Sequence, residues 1–215
     1  MQPFDCPEEF EYKDHPRKTE VLTRGNDKLF SWIREGRIKA SEAVADTRPF
    51  HLQLFEELCP PDYGYFAGHY RGEKYHCLKR YPVYVPSDPL VGVSPDAVSG
   101  RMAELAVTIR AGLAGLDDAF KAPKAQLSAA QRATYVVAFA CRIFVEFLTI
   151  HPYANGNGHA ARFCLVAILQ RYGLLLTGWS IDPRPSPPYS ELIFRHRRNE
   201  PHLLERAVLQ NCKPL

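Results

Sequence analysis

The chain has 215 residues, 46% of them hydrophobic and 24% charged, with a formal net charge of +3. Such a length and apolar content can bury a substantial core, and so mild a charge gives no general case for nucleic-acid binding. The most apolar stretch, 133–150, is interrupted by Arg142 and Glu146, and the N-terminus is dominated by Asp5, Glu8, Glu9 and Glu11, so neither a membrane span nor a signal peptide is expected.

Cys6, Cys59, Cys77, Cys141, Cys164 and Cys212 are scattered without a C-x-x-C pair, and the histidines show no metal-ligand spacing on one helix face. That pattern suits free thiols in a cytoplasmic protein rather than a disulfide scaffold or a zinc site. Near the N-terminus Leu29, Phe30 and Ile33 predict a short helix capped by Asn26 or Asp27, with Gly36 just past its end. The Pro/Gly clusters at 60–64 and 183–188 are too short for domain linkers. The expected organisation is therefore an N-terminal extension over 1–45 and one domain over 46–215. Tyr75 to Val85 mixes β-branched, aromatic and basic residues around Pro82, which reads as a short edge hairpin or as a surface loop with a few strand contacts.

From Gln131 to Ile150 a helix is predicted, because Val136, Phe139, Ile143, Phe147 and Ile150 recur on one face. Pro152 ends it. A second helix covers about Ala160 to Tyr172 and stops at Gly173, and a last one runs from about Tyr189 to Leu209. The basic run Arg195-His196-Arg197-Arg198 within it reads as a solvated face, with a nucleotide the nearest anion if it binds one. The fold class is all-α with a small β-hairpin.

Between the two central helices lies His151-Pro152-Tyr153-Ala154-Asn155-Gly156-Asn157-Gly158-His159-Ala160-Ala161-Arg162. Its glycines fall where the second helix starts, so unpaired N–H groups and the positive end of the helix dipole make a place for phosphate oxygens. His151 has the residue type to take a proton from a hydroxyl attacking a phosphorus held there, and Arg162, a turn further on, can reach along a polyphosphate. The same stretch also reads as plain punctuation between two helices.

This segment resembles the signature of Fic proteins, His-Pro-Phe-x-Asp/Glu-Gly-Asn-Gly-Arg-x-x-Arg. Upstream, Phe50-His51-Leu52-Gln53-Leu54-Phe55 and Ala67-Gly68-His69-Tyr70-Arg71 are similar to the family's first helix and the turn into its flap. The resemblance implies a small, mostly helical domain that moves AMP from ATP to a Ser, Thr or Tyr hydroxyl of a protein. By position it makes His151 the general base, gives the phosphates to the Gly156–Gly158 backbone and the Asn157 side chain, and sets Arg162 on the γ-phosphate. Asn155 stands where the family has an acidic ligand of Mg²⁺ (or Mn²⁺), and His159 stands where it has its first arginine. An amide brings no charge to a hard cation, and a histidine cannot grip phosphate with two parallel bonds.

Ser31-Trp32-Ile33-Arg34-Glu35-Gly36 similarly resembles the inhibitory helix of self-restrained Fic proteins, which implies a Glu35–Arg162 pair. The flap, at 75–85 here, would by the same resemblance dock an extended segment of a target protein through its edge. Three functions stay open on these residues: an AMP transferase, a transferase with another phosphate-containing donor, and a binding module that has lost the chemistry.

Overall fold

The computed structural model describes Cys6 and residues 12–83, 85, 88–121 and 127–215. It is mostly helical, as the periodicities predict. Helix α1 (Lys18–Arg34) buries Val21, Leu22 and Leu29. It begins more than a turn earlier than the sequence reading, because Val21 and Leu22 extend the apolar face, and Asn26 and Asp27 therefore lie inside it rather than capping it. Gly25 allows its crossing with α3 (Arg48–Phe55), since a Cβ there would stand 2.6 Å from Leu54 Cδ2. The short α2 (Ala40–Ala45) lies between them and packs on α4 and α6.

Helix α4 (Pro95–Lys121) was not anticipated, although Val98, Met102, Leu105, Ile109 and Leu113 mark its buried stripe. Helix α5 (Ala129–Ile150) starts from a capping box in which Ser128 and Gln131 exchange hydrogen bonds. Among the described residues α5 alone is long and apolar enough to cross a membrane, and half of that stretch is buried in the fold. It is the central helix, flanked by α4, α6 (Asn157–Arg171) and α8 (Pro201–Gln210). Phe144 and Phe147 of α5 and Phe163 of α6 are buried in this core, where Phe163 stacks on Phe50 at 4.0 Å.

The single C-terminal helix expected over 189–209 is two helices, α7 (Tyr189–Arg197) and α8. Asn199, with a φ of 66°, turns the chain, and Pro201 opens the next helix at a position where a missing N–H costs nothing. Strands β1 (Leu174–Leu176) and β2 (Cys212–Pro214) form one antiparallel pair with Leu175 opposite Lys213.

That pair is not where a hairpin was expected. The described residues of 75–85 form turns and no strand. The Leu78 and Lys79 N–H groups both return to the Tyr75 carbonyl, Arg71 draws in the Tyr81 carbonyl, and Tyr75 stacks on Tyr65 at 5.0 Å. These contacts use the groups a strand would pair, and Pro82 has no N–H to offer. Among the described residues of 75–85 there is thus no hairpin edge for a target to pair with. A second correction concerns thiols: Cys6 and Cys77 form a disulfide with Cα atoms 5.5 Å apart, whereas Cys59, Cys141, Cys164 and Cys212 are free.

Candidate active site

The first helix of the motif ends on its own base candidate. His151 has φ 55° and ψ 61°, a left-handed conformation that costs a non-glycine residue about 1–2 kcal/mol. Arg71 holds it there. This side chain is fully buried and donates from Nε to the His151 carbonyl (2.8 Å), from Nη2 to those of Ile150 (3.2 Å) and Val93 (3.1 Å), and from Nη1 to that of Tyr81 (3.1 Å). Burial pushes its pKa down to about 10, which leaves it cationic at neutral pH. The negative end of α5 supplies the opposing partial charge.

The His151 ring has one defined tautomer. Nδ1 lies 3.2 Å from the Leu148 carbonyl, which can only accept, so Nδ1 carries the hydrogen and Nε2 keeps its lone pair. Burial, aided by the charges of Arg71 and Arg197, pushes the pKa down to about 4. At neutral pH the ring is the free base.

Below it the loop is fixed from both sides. Gly68 N–H donates to His51 Nδ1 at 3.0 Å, so His51 Nε2–H donates to the Asn155 carbonyl at 2.9 Å, and burial keeps this ring neutral with a pKa near about 3. His51 stacks on Tyr153 at 3.7 Å, and the Tyr153 hydroxyl bonds Thr47 Oγ1 at 2.8 Å. Gly156 takes φ 76° as N-cap of α6. A Cβ there would meet the Phe55 ring at 2.5 Å and His51 Nε2 at 2.8 Å, so only glycine fits.

The Asn157 side chain, expected on phosphate, is bonded to the loop itself in this structure. Its Oδ1 accepts from Tyr153 N–H and its Nδ2 donates to the Tyr153 carbonyl, both at 2.8 Å, so the amide staples the loop. The backbone remains suited to an anion. His159 and Ala160 N–H both bond the Gly156 carbonyl, which leaves the Asn157 and Gly158 N–H groups in the first turn without a partner inside the helix.

His159 and Arg162 are both buried, and they face different neighbours. His159 Nε2 lies 3.1 Å from Asp182 Oδ1, and its Nδ1 lies 3.3 Å from the Tyr12 hydroxyl. Burial lowers its pKa against the raising effect of Asp182, so the ring is neutral, gives its Nε2–H to the carboxylate and accepts from Tyr12. Arg162 donates from Nε to the Ile181 carbonyl at 2.8 Å and from Nη1 to the Tyr189 hydroxyl at 3.3 Å. Glu35 does not reach it. At the C-cap of α1 it accepts from Ser31 Oγ and pairs with Arg37 at 2.7 Å, so the expected Glu35–Arg162 restraint is absent from this structure.

His151, Gly158 and Arg162 line one cavity of about 500 Å³, together with Arg184, Tyr189, Phe194, Arg197 and Asp88. This volume falls in the range that takes a nucleotide-sized ligand. The Fic/DOC family pattern matches residues 50–169, which run from within α3 through α4, α5 and the loop to near the end of α6. The chain belongs to the Fic/DOC family.

Solved structures agree with this fold. The BepC protein of Bartonella tribocorum, a VirB-translocated effector solved with bound AMPPNP, superposes with a TM-score of 0.58 at 14% identity, covering 92% of this chain and 88% of that one. The N-terminal Fic domain of a VirB-translocated Bep effector protein from Bartonella quintana gives a TM-score of 0.60 at 14% identity, covering 92% of this chain and 81% of that one. A search of curated proteins gave no match.

In this Fic domain the divalent-ion position does not fit a protein-held metal. Asn155 turns its Oδ1 back to Gly156 N–H at 2.7 Å. The acids on the cavity wall are already engaged, Asp88 with Arg197 at 2.6 Å and Glu191 with Arg195 at 2.7 Å. The sequence alone gives no role to Arg71, His51 or Tyr12, and it places Arg197 only within a basic run whose nearest anion is a nucleotide. Arg71 and His51 sit inside the quoted upstream segments, but their tasks depend on contacts with residues about eighty to a hundred positions away.

Proposed function

We propose that this Fic domain transfers a nucleoside monophosphate, AMP from ATP in the first instance, to a hydroxyl of a protein. The observation that carries the reading is the neutral His151 ring, whose Nδ1 is tied to Leu148 while the ring lines the same cavity as Gly158 and Arg162. Membership of the Fic/DOC family supports it, as does the AMPPNP bound to BepC.

In this mechanism the α-phosphate rests on the Asn157 and Gly158 N–H groups. The acceptor oxygen attacks the α-phosphorus in line, its proton passes to His151 Nε2, the bond from the α-phosphorus to the bridging oxygen breaks, and pyrophosphate leaves with the electron pair. The N–H groups at the start of α6 are fixed before the reaction, so charge developing on the phosphoryl oxygens is stabilised without reorganisation. Arg162, already oriented by Ile181 and Tyr189, steers the distal phosphates.

A second reading has its own observation. His159, in place of an arginine, is occupied by Tyr12 and Asp182, which suits a domain that binds a nucleotide or another phosphate-containing donor without this chemistry. Intact-mass spectrometry separates the two. After incubation with ATP the wild-type protein is expected to carry an AMP adduct that His151→Ala lacks. Tight ATP binding by both proteins with no adduct on either favours the binding module, and an added phosphate alone points to phosphotransfer.

A further inference from the structure

Helix α7 turns one arginine of its basic run inward. Arg197 donates from Nε to Asp88 Oδ2 at 2.8 Å, with Nη2 2.6 Å from the same oxygen, and its side chain is only 10% exposed. Arg198 approaches the other oxygen of Asp88 at 3.5 Å, so one carboxylate faces two guanidinium groups and the pair leaves a surplus of positive charge. Arg197 Nη1 is buried and meets no acceptor. A buried donor on a charged group is costly to leave unpaired, so this atom asks for a partner that the protein itself does not supply.

The position of Arg197 names that partner. It lines the cavity together with His151, Gly158 and Arg162, whereas His159, in the place of the first motif arginine, is engaged by Tyr12 and Asp182 and does not line it. The remaining cation on the wall, Arg184, is held by Ser190 and lies over the Tyr189 ring at 5.5 Å. We propose that Arg197, by a small shift that uncovers the buried Nη1 to the cavity it lines, contacts a phosphate oxygen of the donor and so supplies from α7 the positive charge that His159 does not give to the loop. Asp88 holds the Nε–Nη2 edge of the guanidinium and thereby sets the direction of Nη1, so little side-chain freedom is lost when the anion binds. This inference rests on the nucleotide reading above for the identity of the donor, but not for the presence of an anion contact.

The test is calorimetric titration of wild type, Arg197→Met and Arg197→Lys with ATP and with inorganic pyrophosphate, and NMR titration of each with adenosine. Arg197→Met is expected to weaken ATP and pyrophosphate by about 10- to 100-fold, the range for a lost charged hydrogen bond, and to leave adenosine unchanged. Arg197→Lys keeps a charge beside Asp88 but loses the fork, so it should show the same phosphate-selective loss to a smaller degree. It also serves if the methionine variant does not fold. Wild-type affinity for ATP in either folded variant overturns the proposal and leaves the nucleotide reading standing. An equal loss for ATP and adenosine makes Arg197 a structural residue, which also overturns it. Pyrophosphate binding that Arg197→Met abolishes, in a protein that binds no nucleotide, upholds the anion contact and removes the nucleotide donor. Absence of all binding by wild type overturns both.

Discussion

Arg71 Nε donates to the carbonyl of His151 at 2.8 Å across a separation of 80 residues, so the conformation of the base candidate is set by a side chain from a distant part of the chain. With Arg71 replaced by Met, the carbonyls of His151, Tyr81 and Val93 lose their donor, that of Ile150 keeps only the Val93 N–H, and a left-handed residue loses its support. Each stranded acceptor costs about 1–3 kcal/mol, partly recovered by water. Arg71→Met is therefore expected to destabilise the fold by at least about 3 kcal/mol in chemical denaturation. A change below about 1 kcal/mol would show that α5 ends the same way without it.

Stability should fall as pH drops below neutrality. Burial holds His151 at about 4 and His51 at about 3, both below the ordinary value near 6.5. Between those values the unfolded chain binds protons that the folded chain refuses, so the folded state loses up to about 1.4 kcal/mol per pH unit for each histidine. The melting temperature should hold above about pH 6.5 and decline steadily towards pH 4. A flat melting temperature from pH 7 to 5 would contradict the burial of these rings. By the same shift, any transfer activity should stay level through neutral pH rather than fall near 6.5.

Glycine is required at one loop position and dispensable at another. Gly156→Ala adds a methyl group into the Phe55 ring and His51 at a φ of 76°, and should cost about 2–4 kcal/mol together with nucleotide binding. Gly173→Ala has a similar φ of 74° with nothing within 4 Å, and should cost only about 1 kcal/mol. Equal losses in urea unfolding would mean that backbone conformation alone, and not the packing of the loop, makes Gly156 necessary.

Asn155→Asp should create the metal preference that the present loop lacks. Asp keeps an oxygen for the Gly156 N–H and adds the charge a hard cation needs. ATP affinity of the variant is expected to rise by about tenfold or more when Mg²⁺ is added, against a smaller rise for wild type, in titrations with and without chelator. An equal Mg²⁺ effect in both proteins would mean that the ion is held without residue 155.

Local features of this fold could be read from the sequence, and long-range ones could not. The apolar spacing of α5, the His-Pro step and the Gly-Asn-Gly turn are each encoded within a few residues. The motif residues did come together, with His151, Gly158 and Arg162 on one cavity. What failed were the side-chain partners. Asn157 found the Tyr153 backbone, Glu35 found Arg37, and His159 found Tyr12 and Asp182, choices that depend on which segments pack together. Of the two readings open for the 75–85 segment, the described residues follow the surface loop: a strand-like composition yields to the pull of Arg71 on Tyr81 and the Tyr65–Tyr75 stack. The break between α7 and α8 does have a local signal in the sequence, at Pro201.

The most direct measurement is a crystal structure of the protein with a non-hydrolysable ATP analogue. The account predicts an α-phosphate oxygen within hydrogen-bonding distance of the Asn157 and Gly158 N–H groups, Arg162 beside the distal phosphates, and His151 Nε2 facing the line of attack on the α-phosphorus. A nucleotide seated outside the His151 cavity, or one whose γ-phosphate rather than its α-phosphate lies at the start of α6, would contradict it.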